Sequence, residues 1–282
     1  MLIKEEVLFS KEECESIKYW DPNEFEISSY RYSLRERVNQ TYTTSGGDNT
    51  NLCTYTYNEL GFRGDSIKKD GFKVMSLGCS HTEGVGVNND ETWPAQFAKL
   101  IPNGVDMNFG TGGRSNDFIS RCLLTYYDLI KPDLVLIMYT SPQRREIYTE
   151  NNGIEPFMPT ISWGWLENTK EGCEVQNHLV SLQNKNADFI NWYKNHLLIK
   201  YFLETKKCNW LWNGQFDIPK NYSEFNRFDG NYERPFLDFG VDNVHPGPNH
   251  NYQYSIRLFE HIKTNFRNYL PDNLTEFKIN LI

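Results

Sequence analysis

Two short segments of the chain carry side chains whose types and spacing suit covalent chemistry. In Gly78-Cys79-Ser80-His81-Thr82-Glu83-Gly84 a serine follows directly on a short apolar run; in Asp242-Asn243-Val244-His245-Pro246-Gly247 an aspartate stands three residues before a histidine. A serine hydroxyl is a poor nucleophile until a base takes its proton. A histidine held at Nδ1 by a carboxylate keeps Nε2 open for that proton and is stabilised as it becomes charged. Asp242 and His245, three apart on one turn, meet that requirement from a single loop. The expected roles are therefore Ser80 as nucleophile, His245 as base and Asp242 as its orienting carboxylate.

Attack on a carbonyl also needs donors aimed at the oxygen that becomes negative. The backbone N–H of Ser80 is one candidate. A second lies in Asn108-Phe109-Gly110-Thr111-Gly112-Gly113-Arg114-Ser115, where glycines let the backbone approach a bound molecule closely. That segment runs into a helix start, whose free N–H groups favour negative charge. Each residue also has a plainer use. Ser80 fits a small turn residue, His245 a helix cap, and Gly112 and Gly113 ordinary turn glycines. His81 lines or packs the same pocket, and His250 flanks the last helix. Arg144, Arg145 and Glu146 fit either an anion-binding site or an ion-paired loop. Trp163 and Trp165 fit either sugar stacking or a local apolar anchor.

The elements that would position these residues are legible from residue 73 onward. Residues 74–77 and 105–109 read as short buried strands, and the apolar run 134–139 as a strand covered on both faces. Residues 210–212 make a further strand. Thr92 is placed to cap a helix with Pro94 in its first turn, and Ser115 another with apolar positions three and four apart. Residues 187–206 and 251–269 read as long helices. Strand and helix alternate, which predicts a parallel sheet with helices on both faces and a site at the carboxyl ends of the strands. Residues 140–186 and 213–248 are expected to be long loops at that rim. Residues 1–70 read as an N-terminal appendage to a main domain spanning 71–282. In it, Ser10 and Glu13 could cap a short helix through Tyr19, and Thr54-Tyr55-Thr56-Tyr57 alternates like a strand.

Composition narrows the classes. The 282 residues hold 29 Lys+Arg against 37 Asp+Glu, a net charge of −8, which argues against a duplex nucleic-acid partner. Six scattered cysteines form no C-x-x-C pair, so neither a structural zinc site nor any other metal or cofactor is expected. The opening Met1-Leu2-Ile3-Lys4-Glu5-Glu6 has no basic-then-apolar build, and no apolar run reaches the length of a membrane span. The expectation is a cytoplasmic protein, or one carried in a virion released by lysis.

Taken as an ordered set, these segments resemble the SGNH (GDSL-like) hydrolase family over about residues 58–269. Asn58-Glu59-Leu60-Gly61-Phe62-Arg63-Gly64, Gly78-x-Ser80-x-Thr82-x-Gly84 and Glu91-Thr92-Trp93-Pro94 are similar to the family's opening. Asn108-x-Gly110-x-x-Gly113-x-Ser115 resembles its second block, and Asp242-x-x-His245-Pro246-Gly247 its last. The resemblance implies a flavodoxin-like three-layer α/β/α sandwich with a parallel sheet, and Gly113 N–H as an oxyanion donor. It also implies hydrolysis of acyl esters, often acetyl groups on carbohydrates or lipids. Two positions depart from the family pattern. Its Gly-Asp-Ser is Gly-Cys-Ser here, though that aspartate is not the triad member. Its third block ends in Gly-x-Asn-Asp with an asparagine oxyanion donor; here the strand runs into Thr140-Ser141-Pro142-Gln143-Arg144-Arg145-Glu146, leaving Gln143, Arg144 or Thr140 to supply that donor. An α/β-hydrolase elbow, Gly-x-Ser-x-Gly, is excluded by Thr82.

The expected substrate is thus a small-molecule or glycan ester, with His81, Gly112, Arg144, Trp163 and Trp165 lining its site. Acyl transfer by the same triad, and a non-catalytic glycan-binding or virion module, stand as the alternatives.

Overall fold

The computed structural model describes residues 37–45, 52–149, 153–157, 170–182, 184–214, 227–228, 235–272 and 274. The helix expected near Ser10, and both Trp163 and Trp165, lie outside these residues.

Four parallel strands form the central sheet: β3 (Phe72–Leu77), β4 (Gly104–Asn108), β5 (Leu134–Tyr139) and β8 (Asn209–Gly214), in the order β4-β3-β5-β8. Before them, β1 (Thr41–Ser45) and β2 (Leu52–Thr56) pair antiparallel. Alternation along the strands sorts the side chains. Met75, Leu77, Val105, Met107, Val135, Ile137, Tyr139, Trp210 and Trp212 enter one buried cluster, and Val74, Leu134, Leu136, Met138 and Leu211 enter the other. Consecutive strand residues point to opposite faces, so a sheet with apolar side chains on both faces needs a helical layer on each side.

Those layers are present. Helices α3 (Asn116–Ile130) and α5 (Lys185–Lys206) cover one face through Phe118, Ile119, Leu123, Trp192, Ile199 and Leu203. Helices α2 (Trp93–Lys99) and α6 (Pro248–Asn265) cover the other through Trp93, Phe97, Leu258, Phe259 and Ile262. The fold is a three-layer α/β/α sandwich. The expected caps start their helices: Thr92 Oγ1 accepts from Ala95 N–H at 3.3 Å and Ser115 Oγ from Phe118 N–H at 3.3 Å. Among the described residues no helix is long and apolar enough to cross a membrane.

Strand β5 has the expected bounds, and the others differ by a residue or two at their ends. The last helix ends at Asn265, with a separate 3-10 turn at Arg267–Tyr269. The segment 140–186 is more structured than expected. It contains an antiparallel hairpin, β6 (Arg145–Thr149) and β7 (Gly153–Phe157), and the helix α4 (Lys170–Leu182).

The sheet order places a crevice. The chain leaves β3 for β4 on one side and returns to β5 on the other, so the loops after β3 and β5 part at the carboxyl edge. The loop after β3 is held from beneath by residues 55–63. Arg63, 1% exposed, donates to the carbonyls of Glu83 (3.1 Å), Gly84 (2.5 Å) and Val87 (2.8 Å), and its Nε to Asn89 Oδ1 (2.9 Å). Tyr55 lies against its guanidinium at 4.1 Å and accepts from Gly86 N–H at 2.7 Å. Phe62 enters the core against Phe109 and Tyr126.

Leaving a buried acceptor without a donor costs about 1–3 kcal/mol. Arg63→Met keeps most of the volume and removes every donor. It is expected to lower unfolding free energy by at least about 2 kcal/mol, read from the urea midpoint. A midpoint equal to wild type would show that these carbonyls find other donors.

Candidate active site

Ser80 opens a one-turn helix, α1 (Ser80–Glu83), directly beyond β3, with Cys79 as its N-cap residue and Gly84 in the left-handed conformation ending it. The turn is packed too tightly to vary. A Cβ on Gly78 would stand 2.0 Å from Thr82 Oγ1, and one on Gly110 2.2 Å from the Glu83 backbone nitrogen. Ser80 is therefore presented by a rigid turn at the crevice, half-exposed, between the loops after β4 and β5.

The loop after β4 approaches it from one side. Gly112 lies so near that a Cβ there would sit 3.6 Å from Ser80 Cβ. Its N–H donates to Glu83 Oε2 at 2.6 Å, so that amide is occupied. Gly113, at φ 73°, takes a conformation that suits glycine, and its N–H meets no acceptor among the described residues. Glu83 is buried, and its other oxygen takes Arg37 Nη1 at 3.0 Å and the Tyr57 hydroxyl at 3.4 Å. Sequence reasoning gave Glu83 no role. Its only sequence signal is the three-residue offset from Ser80, which puts both on one turn.

Asp242 and His245 arrive from the opposite side on a self-closed loop. His245 Nδ1 and Asp242 Oδ2 are 2.5 Å apart, and Asp242 Oδ1 accepts the Val244 and His245 backbone N–H groups at 3.1 Å each. Gly240 N–H donates to His245 O and Gly247 N–H to Asp238 O, closing the loop, and Asn243 turns it at φ 57°. Asp238 also takes the first free amides of α6, from Asn249 and His250, at 2.8 Å each. The loop docks on the residues after α1: Val241 N–H donates to Gly86 O, and a Cβ on Gly86 would meet Asp242 Oδ1 at 2.9 Å.

This docking brings the His245 ring to 5.6 Å from the ring of His81, the residue after Ser80. His81 in turn lies edge-on to Phe236 at 5.7 Å. No hydrogen bond joins Ser80 Oγ to His245 among the described residues. His250 is buried in the first turn of α6 and accepts from Leu237 N–H at 3.3 Å.

The loop after β5 completes the surroundings. Thr140 is clamped by Asn116, whose side chain exchanges two 3.0 Å bonds with its backbone. Gln143 is half-buried in the turn that follows. Arg144 Nη1 donates to Cys79 Sγ at 2.7 Å. Arg145 pairs with Asp188 and Glu146 is held two-pronged by Arg121, so these two belong to an ion-paired loop, unlike Arg144. Burial alone would raise the Cys79 thiol pKa. The Arg144 charge and bonds from Ser80 outweigh it and leave the thiol below its ordinary value. Cys53, Cys79, Cys122, Cys173 and Cys208 are free thiols. Among the described residues no three His, Cys, Asp or Glu side chains gather as a metal-ligand set.

No protein-family model and no curated protein matches the sequence. Solved structures do. A family 3 carbohydrate esterase of Clostridium thermocellum matches at 12% identity over 72% of this chain and 100% of its own, TM-score 0.34. A G-D-S-L family protein of Desulfitobacterium hafniense matches at 12% identity over 67% and 99%, TM-score 0.31. A GDSL-like lipase of Bacteroides thetaiotaomicron matches at 15% identity over 68% and 88%, TM-score 0.28.

Burial would raise the Asp242 carboxyl pKa, but the bonds from His245 and Val244 outweigh it and hold the pKa below the ordinary value. Such a group adds stability that is complete above its unfolded pKa, about 3.9, and is lost as pH falls through its folded value. Asp242→Asn should therefore melt below wild type above about pH 5, with the gap closing as pH drops under 4. A gap independent of pH would rule out this ionisation as its source.

Proposed function

We propose that this chain is a serine esterase of the SGNH type, with Ser80 as nucleophile, His245 as general base and Asp242 orienting the imidazole. The observation that carries the reading is the Asp242–His245 pair, joined at 2.5 Å through Nδ1 and docked on the loop that leaves Ser80. A carboxylate on Nδ1 leaves Nε2 as the nitrogen that exchanges protons with a substrate or a serine. The pair sits at the carboxyl edge of a parallel sheet, where such folds bind ligands. The motif order along the chain supports the same assignment.

In the proposed reaction Ser80 Oγ attacks the acyl carbon of a bound ester. Its proton moves to His245 Nε2, and the carbonyl π pair moves to oxygen. Ser80 N–H and Gly113 N–H face that oxyanion; Gly112 N–H does not, because Glu83 holds it. The oxygen pair then re-forms the carbonyl, the bond to the alcohol breaks, and the leaving alkoxide takes the proton from Nε2. Water repeats the sequence on the acyl-serine and releases free acid. Closure of the Ser80–His245 contact accompanies substrate binding, since catalytic hydrogen bonds are often long in the free enzyme and tighten in the complex. The proposed substrate is an acetyl or other small acyl ester, with a carbohydrate as the alcohol.

The test is turnover of p-nitrophenyl acetate. Ser80→Ala is expected to lower kcat at least about a thousandfold, and a fluorophosphonate probe should label wild type at Ser80 alone. Equal turnover by the variant would remove Ser80 from the mechanism. Glycan binding that survives without labelling would favour a non-catalytic module.

A further inference from the structure

The two positions at which the sequence departs from the SGNH pattern touch each other. Cys79 stands where the pattern has aspartate, Arg144 lies in the loop that lacks the pattern's asparagine, and Arg144 Nη1 donates to Cys79 Sγ at 2.7 Å. Cys79 Sγ is in turn 3.8 Å from Ser80 Oγ. We infer that Arg144 is a catalytic residue of the proposed esterase: its guanidinium, held by Cys79, supplies the third donor to the oxyanion formed at Ser80. The inference rests on the esterase reading and extends it.

Strand register explains why this loop must supply the group. Leu77 of β3 pairs with Ile137 of β5. Ser80 lies three residues past the first and Thr140 three past the second, so the turn after β5 flanks the nucleophile. Within that turn Thr140 is fully buried, with its backbone N–H and carbonyl engaged by Asn116 and its hydroxyl on the Cys79 side. Arg144 has one guanidinium nitrogen on Cys79, and among the described residues its Nε and Nη2 meet no acceptor.

Its backbone is also fixed. Arg144 N–H donates to Ser141 O at 3.1 Å, Asn191 Nδ2 donates to Arg144 O at 3.4 Å, and the next two residues are ion-paired to α5 and α3. An arginine used only to satisfy a buried thiol has no need of this placement, since a buried cysteine behaves as a small apolar residue without a charged partner. The same pairing holds the thiol toward its anionic form, which strengthens the anchor. A preset donor next to a developing oxyanion acts without reorganisation when the charge appears.

The experiment compares wild type, Arg144→Ala, Arg144→Lys, Cys79→Ala and the Cys79→Ala/Arg144→Ala double variant. Each is assayed on neutral p-nitrophenyl acetate and on an anionic p-nitrophenyl hemisuccinate, with thermal unfolding as the fold control. Arg144→Ala should lower kcat on both esters by about a hundredfold to a thousandfold, with KM within about twofold. Added guanidinium should restore part of the loss, Arg144→Lys should retain part of the rate, and the double variant should be no slower than Arg144→Ala. Should Arg144→Ala fail to fold, Arg144→Lys and Cys79→Ala still read the kcat loss.

Unchanged kcat in a folded Arg144→Ala whose turnover still needs Ser80 would overturn the assignment alone. So would a KM rise confined to the hemisuccinate, which would make Arg144 a binder of substrate carboxylates. Wild type lacking any Ser80-dependent turnover would overturn the esterase reading and this inference with it.

Discussion

The guanidinium of Arg63 is the constraint on which the site depends. It is buried beneath the loop after β3 and donates to the carbonyls of Glu83, Gly84 and Val87 in succession. A chain that turns as sharply as residues 83–87 points several carbonyls to one side, and in a buried position each must find a donor. One planar fork with five N–H groups meets three of them at once, which a lysine ammonium on a flexible stem would do less well. The loop after β4 and the Asp242 loop are both referred to the loop after β3. Glu83 at its start reaches across to the loop after β4, and Gly86 at its centre receives the Asp242 loop.

Contacts between main chain and carboxylate dominate this assembly. Glu83 fixes the Gly112 amide, Asp238 closes the last loop onto α6, and Asp242 organises the His245 turn. In each case a buried or half-buried carboxylate takes N–H groups that a loop would otherwise leave unpaired. The residues before the sheet take part as well. Arg37 and Tyr57 occupy the remaining oxygen of Glu83, and Tyr55 takes the Gly86 amide. The described residues between 37 and 63 are thus coupled to the crevice by direct bonds, and none of their side chains is hydrogen-bonded to Ser80.

Much of this was legible in the sequence. The run 134–139 declared a doubly covered strand because every residue in it is apolar. Thr92 and Ser115 declared helix starts because their hydroxyls precede periodic apolar positions. The Asp242–His245 pairing followed from a three-residue spacing within one turn. What the sequence hid were bonds whose second partner is backbone. Arg63 with its carbonyls and Glu83 with the Gly112 amide leave no side-chain pattern to read. The contact between Cys79 and Arg144 spans 65 residues and exists only through sheet register. The β6–β7 hairpin was missed for another reason: Pro156 and Gly153 break the alternation by which a strand is recognised.

The loop from Asp238 to Gly247 holds Asp242 and His245 within its own hydrogen-bonded closure, and it meets its surroundings at Gly86, at His81 and at the start of α6. Aspartate and histidine therefore travel together. A displacement of this segment would alter the gap to the serine while the contact between Asp242 and Nδ1 and the tilt of the ring stayed as they are. Orientation of the imidazole and its distance from the serine become separate variables: the first is set by a local fold of ten residues, the second by how that small body sits against Gly86, His81 and the start of α6.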